Sequence, residues 1–221
     1  MDNMDNMDNM DSKDNMDSMD NKDDASLSVL EPQAMPRAVF PAYYTSEGRN
    51  IAVTGSVGWR CADFAVKDEQ GEILMKGRPG QSNFWGTKSE NAKDEGLYVI
   101  YRQLGFSKLC TILRDGKEVM TVREACMTFK VKLIATFTDA KEGGEHTYTL
   151  ESDWKRKNHT IKLDNGLQVA SITRSYFKSW GNHYAVKVAP GVDLALISAL
   201  CICLVASAKE DEEALASSVG G

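Results

Sequence analysis

The sequence predicts a mainly β fold with a mostly antiparallel sheet and a single apolar helix after the last strand. Short runs rich in Val, Ile, Thr, Tyr and Phe alternate with turn residues from about residue 39 to residue 188, which is the pattern of consecutive strands. No long amphipathic helix separates these runs, so crossover connections between parallel strands are not expected. Residues 194–208 depart from the pattern because they form an apolar stretch without a charge.

The N-terminal segment is an acidic repeat of low complexity. Residues 1–24 read as eight near-copies of a triplet, MDN MDN MDN MDS KDN MDS MDN KDD, with nine Asp against two Lys, a balance of −7. A helix turns about 100° per residue, so a three-residue period winds Met around every side instead of forming a stripe. We therefore expect residues 1–34 to be disordered. Residues 25–208 carry 23 basic and 19 acidic side chains, a balance of +4, which permits contact with phosphates.

Three hairpins can be identified within the β region. Residues 114–117 contain Asp-Gly and residues 164–166 contain Asn-Gly, and these residues accept the positive φ of the tight turns that match strand twist. A third turn ends in Gly71. The runs expected to pair are 64–66 with 72–75, 109–113 with 119–122, and 159–163 with 167–172. Further strands are expected at 97–101, 129–138, 147–150 and 184–188.

Residues 194–208 are predicted to form a helix that the protein itself encloses. A helix of fifteen residues spans roughly 22 Å, which is short against about 30 Å of bilayer hydrocarbon. Apolar residues lie on every side, so no face suits solvent. Asp193 is a suitable N-cap, and Ser198 and Ser207 are expected to donate hydrogen bonds to carbonyls one turn back. The acidic residues 209–221 are expected to form a disordered tail.

Four segments taken together resemble the LURP-one-related family. They are ADFAVKDEQGEILMKG (62–77), RDGKEV (114–119), HTIKLDNGLQVASITR (159–174) and GNHYAVKVAPGVDLALISALCICL (181–204). The resemblance covers roughly residues 35–208. It implies the fold shared with the tubby C-terminal domain and the phospholipid scramblases: a twelve-stranded, mostly antiparallel, closed β-barrel around a central hydrophobic C-terminal helix. It implies no established enzymatic activity, and its suggested relatives are membrane-tethered transcription regulators that bind phosphoinositide headgroups, and lipid scramblases.

No motif for catalysis, a cofactor or a metal stands out in the sequence. His146, His159 and His183 are scattered and lack the ligand spacing of zinc sites. Cys201 and Cys203 lie two apart on the predicted helix and point about 200° away from each other, so they cannot share a metal and are expected to be small core residues. The Asp repeat lacks the Gly-centred turn of a calcium loop. We therefore expect a protein without catalytic residues, cofactor or metal.

A basic run beside an aromatic residue is the candidate ligand site. Trp154, Lys155, Arg156 and Lys157 form the turn before the third hairpin. Each cation near an anionic membrane contributes on the order of 1 kcal/mol, and Trp favours the membrane interface. The run is therefore predicted to bind lipid headgroups, with a solvated turn as the simpler alternative. The segment 76–78, Lys-Gly-Arg, is a second and fainter candidate.

These observations lead us to expect a non-enzymatic binding or tethering module inside the cell. Its candidate ligands are phosphoinositide or other anionic phospholipid headgroups, and its protein partners are left open. Five cysteines without CxxC spacing and the lack of a signal peptide favour the cytoplasm, the periphery of a membrane or the nucleus. A monomer without a transmembrane span and without direct nucleic-acid contact is expected. The alternative is a tail-anchored protein or scramblase-like lipid transporter whose C-terminal helix inserts into the bilayer.

Overall fold

Twelve strands and one long helix make up the fold. The computed structural model describes residues 30, 32, 38–57, 62–79, 86–103, 109–125, 131–140, 143–153, 155, 157–177 and 181–219. A short 3₁₀ helix, Pro41–Tyr43, precedes the strands, and helix α1, Leu194–Val219, follows them. The strands are β1 Arg49–Val57, β2 Ala62–Lys67, β3 Ile73–Pro79, β4 Gly86–Asn91, β5 Gly96–Gln103, β6 Leu109–Arg114, β7 Lys117–Glu124, β8 Lys132–Thr138, β9 Glu145–Ser152, β10 Asn158–Leu163, β11 Gln168–Phe177 and β12 Gly181–Val188.

The strands close into an antiparallel barrel. Each strand pairs with the next one in the chain, and β12 returns to pair with β1, which confirms the twelve-stranded closed barrel. The three predicted hairpins are β2–β3, β6–β7 and β10–β11. The β6–β7 turn has the expected backbone, because Asp115 and Gly116 adopt φ of 51° and 76°. In the β10–β11 turn only Gly166 has a positive φ, of 84°, and Asn165 does not.

Two strands of the barrel, β1 and β4, were not identified individually from the sequence. The residues of β4 are GTKSEN, and among them only Thr87 is a β-branched residue, so local preference gives little sign of a strand. The backbone of β4 pairs with β3 on one side and β5 on the other. Its conformation is therefore set by its two neighbours and by barrel closure.

Helix α1 fills the barrel. Every residue from Leu194 to Ser207 is buried, and the helix and the inward-facing strand residues form one hydrophobic core. This confirms that the apolar segment is enclosed by the protein's own strands. Because β12 leads into the helix, we call the end where α1 begins the helix-start end and the opposite end, where Ser207 reaches Glu124 at the end of β7, the helix-exit end.

The helix-start end is closed by the segment before β1. Asp193 is the N-cap, as predicted: its Oδ1 accepts hydrogen bonds from the backbone N–H groups of Ala195 at 2.9 Å and Leu196 at 3.3 Å. Its Oδ2 accepts two more, from Val39 at 3.0 Å and Phe40 at 2.7 Å. One buried carboxylate therefore joins the helix N-terminus to the segment that precedes the barrel.

The far end of α1 differs from the prediction in two respects. Ser198 donates to the carbonyl of Leu194 at 2.7 Å, as expected, but Ser207 donates to the carboxylate of Glu124 at 2.7 Å, and a charged acceptor makes the stronger hydrogen bond. The helix also continues to Val219, so most of the segment expected to be a disordered tail is helical, because its Glu, Ala and Leu residues are strong helix formers.

The disorder predicted for residues 1–34 stays a prediction. Only Leu30 and Pro32 of this segment belong to the described residues. Leu30 is partly buried and packs against the core. Leu30 therefore marks a point at which the chain preceding the barrel meets the barrel.

Candidate functional site

The predicted basic run lies on the β9–β10 connection at the helix-exit end. We call residues 153–157 the cationic loop. The side chains of Lys155 and Lys157 are exposed there, whereas Trp154 and Arg156 lie outside the described residues. The structure thus brings two of the four predicted site residues to the surface of one loop.

Asp153 holds the backbone of the cationic loop. Its Oδ1 accepts a hydrogen bond from the backbone N–H of Lys157 at 2.9 Å, and its Oδ2 accepts one from the side-chain amide of Asn158 at 3.1 Å. Its own N–H donates to the carbonyl of Asn158 at 2.8 Å. This is the geometry by which Asp stabilises tight turns. The loop is therefore fixed at its base while its lysine side chains point away from the core.

A polar cluster inside the barrel lies under the loop. The carbonyl of Lys157 accepts a hydrogen bond from the backbone N–H of Arg174 at 2.7 Å. The Arg174 guanidinium lies 5.9 Å from the centre of the Tyr184 ring, within the range of a cation–π contact. Ser152 Oγ lies 2.6 Å from Nδ1 of the buried His159, whose ring centroid is 6.5 Å from that of Tyr184.

His159 is neutral in this cluster at physiological pH. Its pKa is lowered to about 4, chiefly by burial; the Asp153 carboxylate opposes this shift, and the positive charge of Arg174 adds to it. Nε2 of His159 has no hydrogen-bond partner in the described part of the chain. The imidazole therefore adds no positive charge to the region, and the interior cation beneath the loop is Arg174.

A groove of about 460 Å³ runs beside the base of the cationic loop. Its described walls include Lys132, Glu151, Asp153, Asn158 and Thr160. Lys132 Nζ forms an ion pair with Glu151 Oε1 at 3.0 Å, so these two charges compensate each other. The other charged residue of the described walls is Asp153, so the groove itself holds no excess positive charge, in contrast to the three consecutive cations at 155–157.

The fainter candidate, Lys76 and Arg78, lies among acidic neighbours. Lys76 is ion-paired with Asp94. Arg78 lies 3.8 Å from a carboxylate oxygen of Glu90 and 3.8 Å from one of Asp94. These two cations face two carboxylates of the protein itself, which makes them poor candidates for binding an external anion.

The described cysteines belong to the core. Cys110, Cys201 and Cys203 are buried and free of disulfides, and Cys203 contacts the thiol of Cys110. Burial raises the pKa of Cys201 to about 12, so its reactive thiolate form is suppressed. The prediction that Cys201 and Cys203 pack as small core residues is confirmed.

The histidine side chains do not come together in one site. His146 Nδ1 lies 2.9 Å from Asp164 Oδ2, at the opposite end of the barrel from His159. Within the described ranges, no three His, Cys, Asp or Glu side chains lie close enough to hold a metal ion. In the same part of the chain, no helical segment combines the length and apolar character that a bilayer crossing requires.

Sequence reasoning missed Arg174, although the sequence contains a signal for it. Ala170 and Ile172 are buried, and alternate residues of a strand face the same side. Arg174 continues this inward series, so a charged residue is expected inside the barrel wall at the end of β11. The pairing of Ser152 with His159 has no such signal, because it depends on the register between β9 and β10.

Comparison with known proteins agrees with this architecture. The family model described as LURP-one-related matches residues 51–205, a range that begins in β1 and ends inside α1. No curated protein and no solved structure matches the chain. The family match covers well over half of the chain, and the barrel closed around a terminal helix is the fold that the earlier resemblance implied. The chain belongs to the LURP-one-related family.

Proposed function

We propose that this protein is a non-enzymatic binding or tethering module that docks onto anionic phospholipid headgroups through the cationic loop. The observation that carries the proposal is the exposure of Lys155 and Lys157 on a loop whose backbone is fixed by Asp153. Within this class of ligands, phosphoinositides are the more specific candidate. Membership of the LURP-one-related family supports the general role of a lipid-binding module.

The expected binding is electrostatic, weak and sensitive to salt. Each Lys or Arg near an anionic membrane contributes about 1 kcal/mol, and the effect falls off within a Debye length of about 8 Å at physiological ionic strength. Three cations at positions 155–157 would together contribute about 3 kcal/mol, or roughly a hundredfold in affinity. Trp154 would add interfacial affinity if its ring reaches the headgroup region.

Insertion of the terminal helix into a bilayer, the alternative considered for this chain, is not favoured. Residues Leu194 to Ser207 are already buried inside the barrel. Releasing them would expose the inward faces of twelve strands at the same time, and those faces form the hydrophobic core. A module that keeps its helix inside and binds through surface charges requires no such rearrangement.

Liposome flotation tests the proposal. The full chain is mixed at low salt with neutral vesicles, with vesicles containing phosphatidylserine, and with phosphoinositide vesicles of equal total charge. We expect flotation with both anionic preparations, reduced binding at 0.5 M salt and no flotation with neutral vesicles. A preference for phosphoinositide at equal charge would support the finer ligand class.

Two variants with the same charge loss locate the site. In the first, Lys155, Arg156 and Lys157 are changed to Ala, and in the matched control the exposed Lys117, Lys162 and Lys187 are changed to Ala. The first variant should lose most of its vesicle binding, and the control should retain it. Equal binding by both variants, or no flotation of the wild-type chain at low salt, would show that the loop is not a headgroup site.

A further inference from the structure

The cationic loop and the N-terminal repeat carry charges of opposite sign. Residues 1–24 contain nine Asp and two Lys, and the loop contains three consecutive cations at 155–157. Lys155 and Lys157 are exposed, so a carboxylate-rich segment can approach them from solvent. The proposed function uses these cations but gives no role to the repeat, although it is the most unusual segment of the sequence.

The repeat is long enough to reach the loop from any point on the barrel. The longest strand, β11, has ten residues and therefore spans about 33 Å. Residues 1–24 can extend over roughly 80 Å. The chain meets the core at Leu30, six positions after the repeat ends. The chain is therefore long enough for the repeat to contact the loop.

The spacing of the carboxylates suits a weak contact with a small cluster of cations. Asp recurs at every third position from Asp2 to Asp23, so many registers place carboxylates against the loop and no single register is required. A short tether raises the effective concentration to the millimolar range. At an effective concentration of about 1 mM, a contact with a dissociation constant of about 1 mM is occupied half of the time.

We propose that the Asp repeat of residues 1–24 docks on the cationic loop of the same chain and competes there with anionic phospholipid headgroups. The competition rests on the proposed function of the loop, whereas the docking itself does not require a lipid. A membrane of high negative charge displaces the repeat, and a weakly charged one does not. The repeat thereby sets a threshold of surface charge for binding.

Zero-length cross-linking of the full chain tests the docking directly. A carbodiimide joins a lysine amine to a carboxylate only when the two are in contact, and peptide mapping of the monomeric product identifies the pair. We expect Lys155 or Lys157 to be joined to Asp residues between positions 2 and 24. The exposed Lys162 and Lys187 serve as matched controls and should give few such products.

Several results would overturn the docking. These are the absence of loop-to-repeat products, products spread evenly over Lys155, Lys157, Lys162 and Lys187, or products that occur only in cross-linked dimers. Loop lysines joined mainly to the acidic segment 210–213 would identify another occupant and would also refute the proposal. The loop-to-repeat products should decrease at 0.5 M salt, because the contact is electrostatic.

A full-length variant with all nine Asp of the repeat changed to Asn tests the competition. It should bind phosphatidylserine vesicles at least twofold more tightly than the wild type, as expected when a half-occupied site is freed. General repulsion between the repeat and the membrane persists when the loop is neutralised, so the same change is also made with Lys155→Ala and Lys157→Ala. If the gain is as large in that background, the repeat acts by general repulsion and the proposal fails. If no variant binds lipid, the proposed function fails while the cross-links still decide the docking.

Discussion

Replacing Asp193 with Ala should weaken the fold by an amount that depends on pH. Asp193 is fully buried and accepts four backbone hydrogen bonds, two from the start of α1 and two from Val39 and Phe40. Loss of an N-cap costs about 1 kcal/mol. A buried N–H left without an acceptor costs about 2 kcal/mol, so Val39 and Phe40 add about 4 kcal/mol. The total is about 5 kcal/mol, which is large against the 5–15 kcal/mol typical of a domain.

The substitution should cost less at a pH where Asp193 is ionised, because the wild type then buries a charged carboxylate. Burial raises the pKa of its carboxyl group to about 6, although the four backbone donors oppose the shift. Because the folded pKa exceeds the unfolded value of about 3.8, the wild type gains stability as pH falls from 6 to 4 and loses it as pH rises again. The shift corresponds to about 3 kcal/mol. The substitution should therefore cost about 5 kcal/mol near pH 4 and about 2 kcal/mol near pH 8.

Urea unfolding followed by tryptophan fluorescence measures both values. Asp68→Ala is the matched control, because Asp68 also accepts two backbone hydrogen bonds, at 3.0 and 2.9 Å, but in an exposed turn. The control should cost about 1 kcal/mol or less at either pH. A cost of Asp193→Ala that stays constant between pH 4 and pH 8, or that is greater at pH 8, would refute the assignment of a buried carboxyl group with a raised pKa.

Further predictions concern the core and the interior cluster. Leu200→Ala removes a fully buried side chain and should lower the free energy of unfolding by 2–5 kcal/mol, and a chain that ends at Pro190 should fail to give a cooperative melt. Gly77→Ala would place Cβ 1.9 Å from the Phe64 ring, so we expect a loss of about 1–3 kcal/mol that a simultaneous Phe64→Leu change reduces. By NMR titration the His159 ring should show a pKa of about 4. Since this pKa lies below the unfolded value, the stability lost by the wild type between pH 6.5 and pH 4 should exceed the loss in His159→Gln.

The overall fold could be predicted from the sequence because the sequence patterns that indicate it are local. Asp115-Gly116 and the turn that ends at Gly166 require positive φ and adopt it, so the β6–β7 and β10–β11 hairpins follow from a few residues. The uncharged segment 194–208 is apolar on every side, so it had to be enclosed by other residues, whichever strands supply them. Strand β4 was missed because its polar sequence carries no such signal, and pairing with both neighbours determines its conformation.

The candidate site was only partly accessible, because its geometry depends on contacts that are distant in sequence. The cationic loop is a local feature, and two of its lysines are exposed as expected. The ion pairs that neutralise Lys76 and Arg78 involve Asp94 and Glu90, which β4 and the turn after it bring close. Ser207 likewise finds Glu124, 83 positions earlier in the chain. Pairings of this kind are fixed by barrel register and cannot be read from spacing.

The position of α1 after all twelve strands constrains how the molecule is made. A ribosome releases the wall of the barrel before it releases the segment that occupies the centre, since residues 194–207 follow β12 in the chain. Until then, the inward faces of the strands lack the apolar partner that completes the core. Nascent chains should therefore depend on chaperones late in translation, and a premature stop near residue 190 should produce an aggregation-prone polypeptide instead of a shortened functional one.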